Sequence, residues 1–300
     1  MHIIITLLII SSLLLIFIGF YFSNLVINPK IRDYDSTYTK EIKTGKIIKE
    51  NFEKLQNEIL KIKSPYGYTL NAIFFPNNSS KKVIIFSHGI TCNLNTSIKY
   101  MNIFLKRDFN ILIYDHRNHG KSEGKYTTFG YYEKYDLKTC VDWILNRIGH
   151  DAIIGIHGES MGASTALQTC AIDDRVAFYI ADCPFSDLTE ILKFRLKEEY
   201  KFLCCPIIPI ASLFSKIRTG MSFKDVSPIK SINNNNTPIF FIHGENDNYI
   251  PKEMSIDMYT IKTGPKKLYI SPNADHAEAY LKNKKEYDKL VGEFLKEIGL

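Results

Sequence analysis

The stretch that most narrows what this chain can become is Ile153-Ile154-Gly155-Ile156-His157-Gly158-Glu159-Ser160-Met161-Gly162, which continues as Ala163-Ser164-Thr165-Ala166-Leu167. A β-branched run ends in Gly-x-Ser-x-Gly and passes directly into small residues of helical character. That order predicts a strand, a sharp turn and a helix in immediate succession. The turn strains the backbone of Ser160 and brings strand and helix so close that a Cβ at Gly158 or Gly162 would clash. The Ser160 hydroxyl is left standing at the carboxyl edge of a sheet.

The rest of the chain supplies that sheet. Residues 68–75 alternate like a half-buried strand. The run 82–87 is apolar on both faces, as in a parallel sheet covered on both sides, 110–115 reads as a second buried strand, and 176–181, 238–242 and 267–270 read as further strands. Helical patterns over 96–106, 133–147 and 284–298 fall among them, so the fold class is α/β, with βαβ crossovers and a mostly parallel, doubly covered sheet. Ligand chemistry in such sheets gathers outside the carboxyl ends of the strands. Residues 183–236 interrupt the alternation with two helical patterns, 188–201 and 209–217, around the apolar Phe202-Leu203-Cys204-Cys205-Pro206-Ile207-Ile208. An insertion of this size over the strand edges reads either as a lid or as an ordinary helical excursion.

The amino-terminal part is a separate matter. Residues 3–27 carry no charge, and a helix of ~20 residues crosses a hydrocarbon slab about 30 Å thick. The run has no basic stretch before it and no small-x-small cleavage site before Pro29, which favours a retained single-pass membrane anchor over a cleaved signal. Tyr21 and Phe22 fall where an interfacial aromatic belt would sit. Lys30, Arg32, Lys40, Lys43 and Lys46 all follow the span, so the positive-inside rule places the remainder on the cytoplasmic face. Residues 28–64 read as a charged, mostly helical connector, with Ile47, Ile48, Phe52, Leu55, Ile59 and Leu60 at roughly helical spacing. The catalytic domain is then expected over 65–300.

With 45% hydrophobic content in 300 residues the chain can bury a large core. Its 38 Lys and Arg are scattered among 32 Asp and Glu, and a net charge of +6 so distributed needs no nucleic acid partner. Cys92, Cys140, Cys170, Cys183, Cys204 and Cys205 lack metal spacing and read as buried, reduced thiols of a reducing compartment. His116 and His119 are three apart but have no carboxylate to complete a ligand set, so neither metal nor cofactor is expected.

A serine hydroxyl is a poor nucleophile until a base lies in hydrogen-bond reach and a third group fixes the base's tautomer. In this architecture the order along the chain is Ser, then an acid, then His. After Ser160 only His243 and His276 remain. His243 closes a buried strand and suits a bonding role at the strand end. His276, in Ala274-Asp275-His276-Ala277, follows the last strand and can act as general base and acid. Asp247 lies in the loop beyond the 238–242 strand and can orient the imidazole; Glu245 sits nearer the sheet, and Asp225 lies in the insertion. Two backbone N–H groups, those of Met161 and Ile90, are placed to hold an oxyanion.

Five motifs occur in this order: His-Gly-Ile-Thr-Cys-Asn from His88, Asp-His-Arg-Asn-His-Gly-Lys-Ser from Asp115, Gly-Glu-Ser-Met-Gly from Gly158, His-Gly-Glu-Asn-Asp from His243 and Asp-His-Ala-Glu-Ala-Tyr from Asp275. As a set they resemble the α/β-hydrolase superfamily, most closely its bacterial membrane-anchored branch of serine aminopeptidase-like and esterase-like hydrolases. The resemblance spans residues 65–298. It implies hydrolysis of a carboxyl ester, thioester or amide through an acyl-enzyme on Ser160, without a cofactor. Asn118 stands where such proteins usually have Gly in Arg-Gly-His-Gly, a turn that supports the site and performs no chemistry. The apolar insertion and the anchor point to a small acyl or lipid-like substrate, with a peptidase and a non-catalytic tethered binding module as the rival readings.

Overall fold

A computed structural model describes residues 1–77, 80–201, 206–233 and 235–300. Among them, eight strands form one sheet in the order β1-β2-β4-β3-β5-β6-β7-β8. The strands are β1 (Glu58–Lys63), β2 (Thr69–Phe75), β3 (Lys82–Ser87), β4 (Asn110–Tyr114), β5 (Ile153–Glu159), β6 (Val176–Asp182), β7 (Ile239–Gly244) and β8 (Lys266–Ser271). β1 and β2 are antiparallel to their neighbours, and every pairing from β4 through β8 is parallel. The sheet is the mostly parallel, doubly covered one expected.

The helices are α1 (His2–Ile27), α2 (Tyr34–Lys43), α3 (Lys49–Phe52), α4 (Met101–Leu105), α5 (Glu133–Ile148), α6 (Met161–Thr169), α7 (Leu188–Tyr200), α8 (Ile207–Thr219), α9 (Pro228–Ser231), α10 (Glu253–Ile261), α11 (Ala279–Lys282) and α12 (Lys284–Glu297). On one sheet face Ile85, Ile156 and Tyr179 pack with Leu137 and Val141 of α5 and Ala163 and Ala166 of α6. On the other, Ile84, Phe86 and Phe240 pack with Phe104 of α4 and with Tyr287, Val291 and Phe294 of α12. Those α12 residues recur at the spacing of one helical face, and each fully buried side chain of this size contributes roughly 1.5–3 kcal/mol of transfer free energy. Where a helix was expected over 96–106, a 3-10 turn over Leu94–Tyr100 precedes the short α4.

Two expectations for the amino-terminal part change. The helical reading of 28–64 holds for α2 and α3 but fails at its end, because residues 58–63 form β1. Leu60 and Ile62 turn inward while Ile59 faces solvent, so the period is two and the strand belongs to the sheet, not to a connector. The apolar α1 is continuous from His2 to Ile27 and is apolar enough to span a membrane. Its carboxyl end is nevertheless part of the domain. Residues 2–17 are exposed, whereas Gly19, Ser23 and Ile27 are buried. A Cβ on Gly19 would lie 2.5 Å from the Phe214 ring, so this glycine lets α1 and α8 touch. Arg218 of α8 donates to Ser23 Oγ (3.1 Å) and Asn24 Oδ1 (2.9 Å). Phe22, expected at a membrane interface, packs edge-on against Tyr200 of α7 at 5.6 Å. Two backbone bonds then fix the exit of α1: Thr127 N–H donates to Ile27 O, and Arg32 N–H to Thr91 O, both at 2.9 Å.

The insertion forms α7, α8 and α9 and builds its own apolar cluster, in which Leu188, Ile191, Ile208 and Ala211 meet Ile27, Phe185 and Ile250. Cys140, Cys170 and Cys183 are buried free thiols, and burial pushes the Cys170 thiol up to about 12. Cys204 and Cys205 lie outside the described residues.

Candidate active site

β5 stops at Glu159 and α6 begins at Met161, which leaves Ser160 alone in the turn with φ 55° and ψ −119°. A Cβ on Gly162 would lie 2.0 Å from Ser87 O, and one on Gly158 would lie 2.4 Å from Ala163 Cα. Both glycines are therefore required by close approach of strand, loop and helix, as the motif predicted.

Loops after β7 and β8 bring Asp247 and His276 to this edge. Ser160 Oγ is 2.9 Å from His276 Nε2 across 116 positions of chain, and His276 Nδ1 is 2.7 Å from Asp247 Oδ2. The carboxylate is fully engaged. Tyr249 N–H and Ile250 N–H both donate to its Oδ1 at 2.9 Å, and His243 Nε2 approaches Oδ2 at 3.1 Å. Burial alone would raise the Asp247 carboxyl, but hydrogen bonds from His243 and His276 outweigh it and hold the pKa well below the ordinary carboxylate range. An ionised Asp247 accepts only, so it fixes the proton of His276 on Nδ1 and leaves Nε2 free to take one from Ser160.

Met161 is the first residue of α6, where a helix leaves its N–H groups without internal partners. Ile90 lies in the loop after β3. Both border a cavity of about 250 Å³ at Ser160, whose other walls are mostly apolar side chains, those of α1, α7 and α8 among them, with the charged Arg195 and Glu199 of α7 also on the wall. A second cavity, of about 480 Å³, also reaches Ser160 but has polar walls, among them Arg32, Glu41, Lys99 and Glu278. His276 borders this second cavity.

Several contacts at the site were not read from the sequence. His243 does more than close its strand: its Nε2 also lies 2.9 Å from Ile250 O, and its Nδ1 lies 2.7 Å from Ser255 Oγ, so it braces the acid loop from behind. Tyr249 packs its ring 4.9 Å from that of His276, with Arg195 of α7 4.4 Å above the tyrosine. Beneath the serine, Glu159 Oε2 receives Lys99 Nζ and Tyr100 OH, each at 2.5 Å. Burial opposes both charges of this pair, yet Lys99 keeps Glu159 below its ordinary value and Glu159 keeps Lys99 above its own. Burial and then the Glu159 charge push the neighbouring Asp182 up to about 7. The acidic residue between Gly158 and Ser160 was the one visible trace of this network.

His88 and His119 have loop roles. His88 Nε2 accepts from His116 N–H at 3.0 Å, so its proton sits on Nδ1 and goes to Gly89 O at 2.7 Å. His119 likewise accepts from Thr91 N–H (3.1 Å) and faces Arg117 O (2.8 Å). Burial, helped by the nearby His119, pushes His88 down to about 3. With both ring nitrogens of His119 engaged, His116 and His119 do not form a ligand pair. Among the described residues the one group of ligand-type atoms lying together is Cys183, Asp247 and His276, within 4.8 Å of one another. There the carboxylate oxygens already accept from four donors, and the Cys183 thiol is buried, which pushes its pKa up.

Comparison with known proteins agrees with this fold. The family model described as the alpha/beta hydrolase fold matches residues 82–202. The Bacillus subtilis protein YqkD is 42% identical over 280 residues, covering 93% of this chain and 92% of that protein. The chain belongs to the α/β-hydrolase superfamily. Within that superfamily it is similar to the Pyrococcus furiosus esterase Pf2001, at 26% identity and a TM-score of 0.68 over 82% of this chain and 93% of the esterase. A Pyrococcus horikoshii acylaminoacyl peptidase shares the hydrolase fold at 19% identity and a TM-score of 0.60, over 83% of this chain and 43% of the peptidase.

Proposed function

We propose that this α/β hydrolase is a serine hydrolase that cleaves a carboxyl ester or thioester of an acyl or lipid-like substrate. The observation that carries the reading is the unbroken chain from Ser160 Oγ through His276 to Asp247, at 2.9 and 2.7 Å. Ser160 Oγ attacks the substrate carbonyl while His276 Nε2 takes its proton. The tetrahedral oxyanion is held by the N–H groups of Ile90 and Met161. The imidazolium then gives its proton to the departing alcohol or thiol, leaving an acyl group on Ser160. Water, deprotonated by the same nitrogen, attacks that acyl-enzyme and restores the serine. No cofactor enters these steps.

An ester is favoured over an amide by two observations. The likeness to an esterase extends over most of both chains, and the Ser160 cavity bordered by both oxyanion donors is apolar. The apolar α1 is read as a single-pass anchor with the catalytic domain on the cytoplasmic face, following the basic residues after Ile27. A fluorophosphonate probe tests the chemistry: labelling of the full chain that disappears in Ser160→Ala supports it. Wild-type protein that stays unlabelled refutes it, and cleavage of aminoacyl p-nitroanilides alone in a panel that includes p-nitrophenyl esters would make the protein an amidase.

A further inference from the structure

The cavities on the two sides of Ser160 differ in chemistry and in what borders them, and that difference orients a substrate. His276 must protonate the leaving group, so the leaving group lies on the imidazole's side. That side is the polar cavity, walled by Arg32, Glu41, Lys99 and Glu278. Glu41 is 3% exposed; its Oε1 pairs with Lys46 of the same wall at 3.5 Å, while its Oε2 has no hydrogen-bond partner among the described residues. The acyl group must then lie in the mostly apolar cavity, which Met161 borders and His276 does not, Ile90 standing between the two cavities.

The apolar cavity has a wall that the hydrolase core does not supply. Phe22, Leu25, Val26 and Pro29 line it, opposite Leu188, Ile191 and Ile208 of the insertion. The first three belong to α1, the helix apolar enough to span a membrane. A hydrocarbon slab about 30 Å thick takes about 20 helical residues at 1.5 Å each. The 20 residues that precede the first cavity wall residue, 2–21, are uncharged and could fill such a slab. The exposed part of α1 runs without a break into its packed turns from Gly19 on, so a crossing helix sets those turns at the edge of the slab. α8 lies alongside those turns and exposes Leu213 (56%) and Ile217 (71%) one helical turn apart. The exposed Lys216 adjoins Ile217, a cation whose long stem suits the headgroup level.

We infer that the last two turns of α1 form the acyl-binding wall of the active site, and that the acyl chain they receive is that of an ester resident in the bilayer, entering beside α1 and α8. This rests on the ester-hydrolase reading and extends it. The amino-terminal helix then selects the substrate as well as tethering the domain. Its residue at position 26 is a specificity determinant for chain length.

The test uses the full chain reconstituted in phosphatidylcholine vesicles, with 4-methylumbelliferyl oleate embedded in the membrane and p-nitrophenyl acetate in the water. Val26→Trp fills the cavity and should lower the ratio of kcat/KM for oleate over acetate by tenfold or more. Phe22→Ala, which opens the same wall, should raise that ratio. Leu14→Trp alters an exposed position on the same helix and should leave the ratio within twofold of wild type. Equal labelling of Ser160 by a small fluorophosphonate shows that a variant is folded. Val26→Trp that labels normally but keeps the wild-type ratio overturns the inference while the hydrolase reading stands, and so does a Leu14→Trp change as large as that of Val26→Trp. Absence of any Ser160-dependent ester hydrolysis in wild-type protein overturns both.

Discussion

Replacing Asp247 with asparagine separates the orienting role of this residue from its role in the loop. Oδ1 receives the N–H groups of Tyr249 and Ile250, so the loop selects the asparagine carbonyl oxygen for that place. The amide NH2 then stands where Oδ2 was, 2.7 Å from His276 Nδ1 and 3.1 Å from His243 Nε2. An NH2 group cannot accept a proton-bearing Nδ1. His276 must move its proton to Nε2, and that nitrogen then donates to Ser160 Oγ and cannot act as base. Loss of the base together with loss of the carboxylate charge is expected to lower kcat/KM by about 10³–10⁴, or roughly 4–5.5 kcal/mol of barrier. His243 now also faces a donor, which should cost about 1–3 kcal/mol of stability. Initial rates on p-nitrophenyl butyrate and urea unfolding of the same preparations measure the two effects. A decrease in kcat/KM of less than tenfold in a folded Asp247→Asn variant would refute the tautomer argument.

Ser160→Ala and His276→Ala should each remove activity by several orders of magnitude, with no further loss in the double variant, because the groups act as a unit; their thermal unfolding should stay close to wild type. Lys99→Met strands the buried Glu159 carboxylate and should lower stability by about 3–5 kcal/mol in urea titration, whereas Lys99→Met combined with Glu159→Leu should recover most of that loss. His88 and His157 are both pushed down to about 3, chiefly by burial. Their folded pKa values lie below the unfolded value of about 6.5, so the unfolded chain binds protons first on acidification. Stability should therefore be complete above about pH 6.5 and fall as the pH drops toward 3. Comparing urea midpoints at pH 7 and pH 5 checks this, and His157→Gln should flatten the dependence.

The sheet and the Ser160, Asp247, His276 chain were legible because each is carried by a local pattern: short apolar strand runs, and polar loops directly after them. The β1 strand was misread because adjacent Ile59 and Leu60, with Phe52 and Leu55 before them, imitate a helical stripe. Only pairing with β2 reveals the alternation of Leu60 and Ile62. The brace of His243 on Asp247 depends on how the chain turns between them, which spacing alone does not specify. The contact of α1 with α8 was hidden by composition, since an apolar helix satisfies lipid and protein equally well. Gly19 and Ser23, small residues one turn apart, were the signal that one face meets another helix.

The bond from Arg32 N–H to Thr91 O ties the exit of α1 to the loop that presents the Ile90 N–H. Soluble preparations of membrane-tethered proteins are commonly obtained by deleting the hydrophobic leader. Here a cut ahead of α2 would discard Phe22, Leu25, Val26 and Pro29 and would sever this tie. Substrate profiles gathered on such a fragment would describe a pocket with a missing side, so screening for substrates should begin from intact protein in detergent or nanodiscs.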